Sequence, residues 1–326
     1  MCGYVWWTRC PTPKKLSILR VSSHIAGCLW SALQAASHPY AVEVVNDPWE
    51  VFAPGVIRHP GRPIFRRWFT SRLQRQCRQA AAASYVTERT LQNRYPCPGY
   101  STGISDVEVP PEALAHQSRP SGQPAGPFRL VTVASLEQMY KAPDVLIRAL
   151  AAARETGLDI VLDVVGDGRL RPQFERLASD LGVRGQVNFH GQAPGGEAVR
   201  RYLDSASLFV LPSRTEGLPR AMVEAMARAL PCIGTTVGGI PELLPPEDLV
   251  VPNDVAGLAC KIRETLLSPG RLTEMSRRNL HRAQEFAEEK LAGRRKEFLD
   301  YVRHATTVWL RASRRSTVRP KEAPVW

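Results

Sequence analysis

Glu216 and Glu224 stand eight residues apart in "RTEGLPRAMVEAMAR" (214–228), with a glycine, a proline and an apolar run between them. Carboxylates accept hydrogen bonds and suit vicinal hydroxyl groups. Gly217 lets the backbone come close to a ligand. Pro219 fits the first position of a helix, where its missing N–H costs nothing. A helix starting there offers free N–H groups and the positive end of its dipole to an anion. Eight residues at 1.5 Å rise separate the two acids by at most about 12 Å, the span from a sugar across a diphosphate to a ribose. The pair can therefore grip both ends of a nucleotide sugar. The same spacing also describes a helix start capped by Glu216 with Glu224 in solvent.

The elements around this stretch supply the positioning. "SLFVLPS" is a short apolar strand, and "RTE" is the loop at its carboxyl end. From 128 onward such strands alternate with amphipathic helices. "FRLVTVA" is followed by "PDVLIRALAAARE", "DIVLDVVG" by "LRPQFERLASDLG", "QVNFHG" by "GEAVRRYLDSA", and "PCIGTTVG" by "DVAGLACKIRETLLS" after an intervening turn. Strands apolar on both faces predict a parallel sheet covered by helices, with ligands at the carboxyl ends of the strands. Lys141 falls in such a loop, where a lysine can neutralise a phosphate leaving group as a point charge. "VVGDG" ends a strand in a tight turn at Gly166, Asp167 and Gly168, and "TTVGGIPELL" ends another at Gly238 and Gly239.

Composition bounds the rest. The 326 residues allow two ordinary domains, and 44% hydrophobic with 23% charged residues is a globular profile. No apolar run approaches the length of a membrane span. Arg20, His24 and two serines interrupt "KKLSILRVSSHIAGCLWSALQAAS", which separates it from a signal peptide. Seven scattered cysteines without a CxxC pair suit a reducing compartment and predict no disulfide framework and no zinc site. The net charge of +12 is uneven. Residues 1–124 hold fourteen basic and seven acidic side chains, residues 125–285 are neutral, and residues 286–326 hold ten and five. The excess can steer the chain toward an anionic lipid surface or nucleic acid, or serve solubility alone.

Four motifs in order, "SLEQMYK", "VGDG", "PSRTEGLPRAMVEAMA" and "GGIPEL", resemble the donor-binding half of glycosyltransferase family 4, the group 1 transferases of GT-B fold. The resemblance covers about Phe128 to Leu267. It implies two Rossmann-like parallel-sheet α/β domains: an acceptor-side domain over 1–124, a nucleotide-sugar domain over 125–285, and a C-terminal helix with basic tail over 286–326. By resemblance Glu224 holds the nucleotide ribose, Glu216 the donor sugar and Lys141 the diphosphate, with the Gly217–Leu218–Pro219 backbone against sugar and phosphate. Gly166, Asp167, Gly168, Gly238 and Gly239 line the donor, and the base is read near "FHGQ" (189–192). The reaction it implies is transfer with retention from a nucleotide sugar such as a UDP- or GDP-sugar, with no metal and no cofactor, in the cytoplasm, in surface polysaccharide assembly.

The sequence departs from the family in places. Ser135 stands where an arginine is usual, six residues before the phosphate lysine. "VEVVNDPWE" ends a strand with Asn46 and Asp47 where a histidine is common, which makes Asp47 the acceptor-side catalytic candidate. The opening strand and glycine-rich loop of the family have no counterpart, leaving the first domain short by roughly 60 residues counted in strands. A truncated protein that binds donor without transferring it is the alternative reading. A nucleic-acid binder built on the basic segments is another, opposed by the neutral charge of 125–285. "RHPGRPIFRRWFTSRLQRQCR" (58–78) has seven arginines and no acid, with Ile64, Phe65, Trp68, Phe69 and Leu73 near one helical face. Such a helix lies on an anionic membrane or packs its aromatic face on its own sheet. The tail "RASRRSTVRPKEAPVW" is expected to be disordered.

Overall fold

The computed structural model describes residues 16–53, 56, 59–120 and 126–317, with side chains as far as Ser313. The start "MCGYVWWTRCPTP", the end of the basic tail and residues 121–125 lie outside the described residues. In chain order the first elements are β1 (Ile18–Val21), α1 (His24–Ala35), β2 (Ala41–Val44), α2 (Pro48–Val51), α3 (Arg62–Arg78), β3 (Ala82–Tyr85), α4 (Thr90–Arg94) and β4 (Tyr100–Gly103). Then come β5 (Phe128–Val133), α5 (Pro143–Glu155), β6 (Ile160–Val165), α6 (Arg171–Asp180), β7 (Val187–Gly191), α7 (Glu197–Ser205), β8 (Leu208–Leu211) and α8 (Arg220–Ala227). The last are β9 (Cys232–Thr235), α9 (Ile240–Leu243), β10 (Leu249–Val250), α10 (Val255–Leu266), α11 (Pro269–Ala283) and α12 (Glu288–Thr317).

These elements form two compact units, each with a parallel sheet. One comprises residues 1–46, 67–104 and 293–326, the other 47–66 and 105–292. The boundaries expected at 124 and 285 both fall inside the second unit. Local bonds account for this. Val109 N–H donates to the Phe286 carbonyl at 2.9 Å. Half-buried Arg119 donates to the carbonyls of Leu203 at 2.7 Å, Ala206 at 2.5 Å and Arg228 at 3.1 Å.

The six-stranded sheet of the second unit has the order β10-β9-β8-β5-β6-β7. Its strand residues alternate between faces, as period-2 pleating requires. Leu130, Leu162, Val164, Leu208, Val210 and Ile233 face one core with α5 and α10. Val131, Val165, Phe209, Leu211 and Cys232 face another with α7 and α8. Each fully buried aliphatic side chain there contributes roughly 1.5–3 kcal/mol. α5 shows why these segments become helices. Pro143 opens it at a position with no N–H to lose, and Val145, Leu146, Ala149, Leu150 and Ala153 recur on a buried stripe.

The four-stranded sheet of the first unit runs β1-β2-β3-β4 in simple chain order. α12 completes its core, with Phe298 and Val302 buried against Ala41 and Ala82. Trp309 of the same helix lies 4.6 Å from the His38 ring. Residues 311–317, expected to belong to a disordered tail, continue this helix. α3 divides its apolar residues between two sides. Leu73 is buried, whereas Ile64 is 72% and Trp68 49% exposed. The expected single aromatic face therefore does not form: residues 64 and 68 point away from 73 and 77 by helical geometry.

Candidate functional site

Chain order in the six-stranded sheet reverses between β5 and β8, which pair directly. In open α/β sheets such a reversal opens a crevice at the carboxyl ends of the two strands. The loop after β5 brings Lys141 there, and the loop after β8 brings Ser213 and Glu216. Lys141 Nζ lies 2.7 Å and 2.9 Å from the two Glu216 carboxylate oxygens. Ser213 Oγ donates to Glu216 Oε1 at 2.6 Å. The charged side chains are 17% and 6% exposed. The family resemblance implies that Lys141 and Glu216 hold different parts of a ligand; the fold pairs them with each other. At this depth, losing either partner leaves a charge without compensation.

The Lys141 turn is held by Arg214, a residue the sequence reading quoted but gave no role. Its guanidinium forks onto Asp144, Nη1 to Oδ1 at 3.0 Å and Nη2 to Oδ2 at 2.7 Å. It also donates to the Met139 carbonyl at 2.5 Å and to Asn253 Oδ1 at 2.6 Å. Its backbone N–H donates to the Tyr140 carbonyl at 2.7 Å. Bidentate arginine–carboxylate geometry fixes orientation as well as distance. The available signal was Asp144 in the first turn of α5, facing an arginine one residue beyond the β8 loop serine.

Glu216 does not cap α8. Pro219 is the N-cap residue and no side chain bonds to that helix start, so its first N–H groups keep their donor capacity. Glu224, in the second turn, is half-buried. Burial pushes its carboxyl pKa up, against the opposing fields of Arg220 and Arg200. No described residue donates a hydrogen bond to its carboxylate. A carboxylate partly withdrawn from water, with its oxygens free to accept, suits a ligand's hydroxyls.

Glycines set the surrounding loops. Gly166 has φ +137°, and a Cβ there would come within 1.9 Å of the Ala134 carbonyl oxygen. The Gly166–Asp167–Gly168 turn thus lies on the loop after β5, sewn to it by Leu136 N–H to the Asp167 carbonyl at 2.9 Å. Asp167 Oδ1 accepts from Gly168 N–H at 2.8 Å. Ser135 is exposed in the same loop, its Oγ accepting from Glu137 N–H at 3.4 Å. Gly238, at φ +54°, would place a Cβ 2.1 Å from the Glu216 carbonyl oxygen. Gly239 N–H donates to the Gly217 carbonyl at 2.7 Å. The double glycine is what allows that loop to lie on the Gly217–Leu218 backbone.

Asp47 takes a local part. It is 3% exposed and caps α2 by accepting from Trp49 N–H at 2.9 Å. The acid of this segment that reaches the loops above is Glu50, one turn further on, which accepts from Gly238 N–H at 3.2 Å. Burial pushes the Glu50 carboxyl pKa up, against backbone donors at Gly238 and Glu216. In the "FHGQ" stretch, His190 Nε2 is 2.7 Å from Asp163 Oδ1. Asp163 also accepts from Arg129 at 2.7 Å and Asn188 at 3.1 Å. Burial works against ionisation of that carboxyl, but these three partners hold it below the usual range.

Two Rossmann-like parallel sheets, one with this crevice, define the GT-B class of glycosyltransferase fold. Residues 127–268 match the family model described as "Glycosyl transferases group 1". The chain is 30% identical over 192 residues to Protein CapJ of Staphylococcus aureus, covering 59% of this chain and 48% of that protein. It is 32% identical over 154 residues to the amylovoran biosynthesis glycosyltransferase AmsK of Erwinia amylovora, covering 45% and 37%. It thus spans about half the length, or less, of these curated relatives. Among solved structures, Anabaena Alr3699/HepE in complex with UDP and glucose aligns with a TM-score of 0.66 at 17% identity, over 87% of this chain and 78% of that one.

Proposed function

We propose that the second unit binds a nucleotide sugar, and that the chain transfers the sugar with retention to a saccharide or lipid-linked acceptor in surface polysaccharide assembly. The observation that carries this reading is the meeting of Lys141, Glu216 and the uncapped start of α8 at the strand-order reversal, with the half-buried Glu224 in the second turn of the helix. Glu224 receives the ribose hydroxyls and Glu216 the sugar hydroxyls. Lys141 and the helix start face the diphosphate, whose charge grows as the glycosidic bond breaks. Lys141 is held by Glu216 in the structure, so the diphosphate shares or takes over that ammonium on binding. Positive charge from the protein takes the place of a metal ion.

The relatives' names support the pathway class: AmsK is described as an amylovoran biosynthesis glycosyltransferase. The nucleotide is supported by HepE, whose structure holds UDP and glucose. A cytoplasmic enzyme touching the membrane peripherally fits α3, where Ile64, Phe65 and Trp68 are exposed beside arginines. Among the described residues no helix is long and apolar enough to cross a membrane. A second reading, donor binding without transfer, is favoured by one observation: among the described residues the four-stranded sheet keeps simple strand order, without a reversal.

Calorimetric titration of UDP-, GDP- and ADP-sugars, followed by turnover assays with the donor that binds, tests both readings. Saturable binding of one donor, abolished by Lys141→Ala together with Glu224→Ala, is expected. Failure of every donor to bind overturns the first reading, and tight binding without hydrolysis or transfer selects the second.

A further inference from the structure

The first unit carries a small pocket at the carboxyl end of β1, lined by Ser22, Ser23, His24, Phe69, Arg72 and Gln76. None of these residues belongs to the site described above, and none is acidic. Four observations converge on the pocket. It opens beside the start of α1, a helix of twelve residues, whose Ser23 Oγ accepts from Ala26 N–H at 3.1 Å and leaves the earlier N–H groups without a partner inside the helix. Arg72 projects from α3, and its guanidinium meets no carboxylate among the described residues. It lies 5.3 Å from the centre of the Trp68 ring and close over Gly27, where a Cβ would come within 1.9 Å of Nη2. Gln76 is only 3% exposed, yet its side-chain amide bonds to no described residue. Ser22 Oγ is buried without a hydrogen-bond partner among the described residues.

A buried amide, a buried hydroxyl, a guanidinium and free helix-start N–H groups together offer several donors and no carboxylate to meet them. The two buried groups are costly unless something bonds to them. Anions carrying several oxygens satisfy helix-start N–H groups and an arginine fork at once. We propose that this pocket is an oxyanion site, taking a phosphate or carboxylate group borne on a sugar acceptor or free in solution. The anion site stands independently of the transfer reading; only its assignment to an acceptor rests on that reading.

Gly27 supplies the sharpest test. Alanine favours a helix over glycine, and the three heavy atoms nearest the added Cβ all belong to the tip of the flexible Arg72 side chain. Gly27→Ala should keep the melting temperature while expelling the guanidinium from the pocket. The titrant is inorganic phosphate, followed by calorimetry and ³¹P line broadening in the Lys141→Ala background, which disables the other cationic site. Gly27→Ala and Arg72→Gln should each weaken phosphate binding by about tenfold or more, the worth of one charge-assisted contact, while Arg72→Lys keeps part of it. Glucose 1-phosphate and glucuronate, titrated in parallel, separate the sources. Binding tighter than that of phosphate indicates a sugar-borne group, and equal binding a free ion. Phosphate binding that is absent, or unchanged by Gly27→Ala and Arg72→Gln, overturns the site.

Discussion

Glu216 and Glu224 lie on one loop and the helix it feeds, yet the fold treats their carboxylates in opposite ways. Glu216 is enclosed with Lys141 and Ser213 and has its charge answered within the protein. Glu224 is half-buried with no donor among the described residues, and burial pushes its pKa up. Identical side chains eight residues apart are thus prepared for different work. One belongs to a charge pair closed within the protein. The other is an acceptor with no donor among the described residues.

The comparison breaks most visibly at Lys141. Lys141→Ala should lower turnover by on the order of a hundredfold or more, because the charge it meets grows in the transition state. It should also cost stability of about 3 kcal/mol by leaving the buried Glu216 charge without a cationic partner. Adding Glu216→Gln should restore much of the denaturant midpoint but none of the rate. A double variant that turns over like wild type would reduce the pair to a structural element.

Glu224→Ala should weaken nucleotide binding by about 1.5–3 kcal/mol, the scale of hydrogen bonds to a charged group. Unchanged affinity in a calorimetric titration removes Glu224 from the site. Stability should move the other way. A folded pKa above the unfolded one means that the native state binds the proton more tightly, so the wild type loses stability as pH rises through the raised value. Glu224→Gln should therefore melt higher than wild type near neutral pH, by a few degrees at most. That gap should close on acidification below about 4.3, the pKa of an unfolded glutamate. A gap that persists at low pH would assign the gain to packing. The smallest effect expected is none at all: transfer should survive EDTA, because Lys141 and the α8 start supply the positive charge. Strict dependence on added Mn²⁺ or Mg²⁺ would show that the paired lysine is not sufficient.

Local pattern and tertiary contact contributed unequally to what could be read in advance. β5 to β9 and the helices between them follow from short apolar runs punctuated by glycine and proline, and each lies within a few residues of its expected place. β4 was not legible, because "YSTG" is polar, short and only partly buried. β10, with two residues, is held by pairing to β9 alone. The positions of Lys141, Glu216 and Glu224 along strands and helices were set by the sequence, since strand ends, Pro219 and the 1.5 Å helical rise are local properties. Their partners were not. The Lys141–Glu216 pair spans 75 residues, the Arg214–Asp144 fork 70, and the Glu50–Gly238 contact 188. Asp47 and Glu50 look equally available in "NDPWE", and only the capping of α2 spends the first and frees the second to reach Gly238. Sequence by itself determined the class of fold and which residue types stand at the strand ends. Which of those charges meet, and which carboxylate keeps no donor among the described residues, was decided by the strand order that brings β5 beside β8, because pairing at a few ångströms depends on three-dimensional register and not on spacing along the chain.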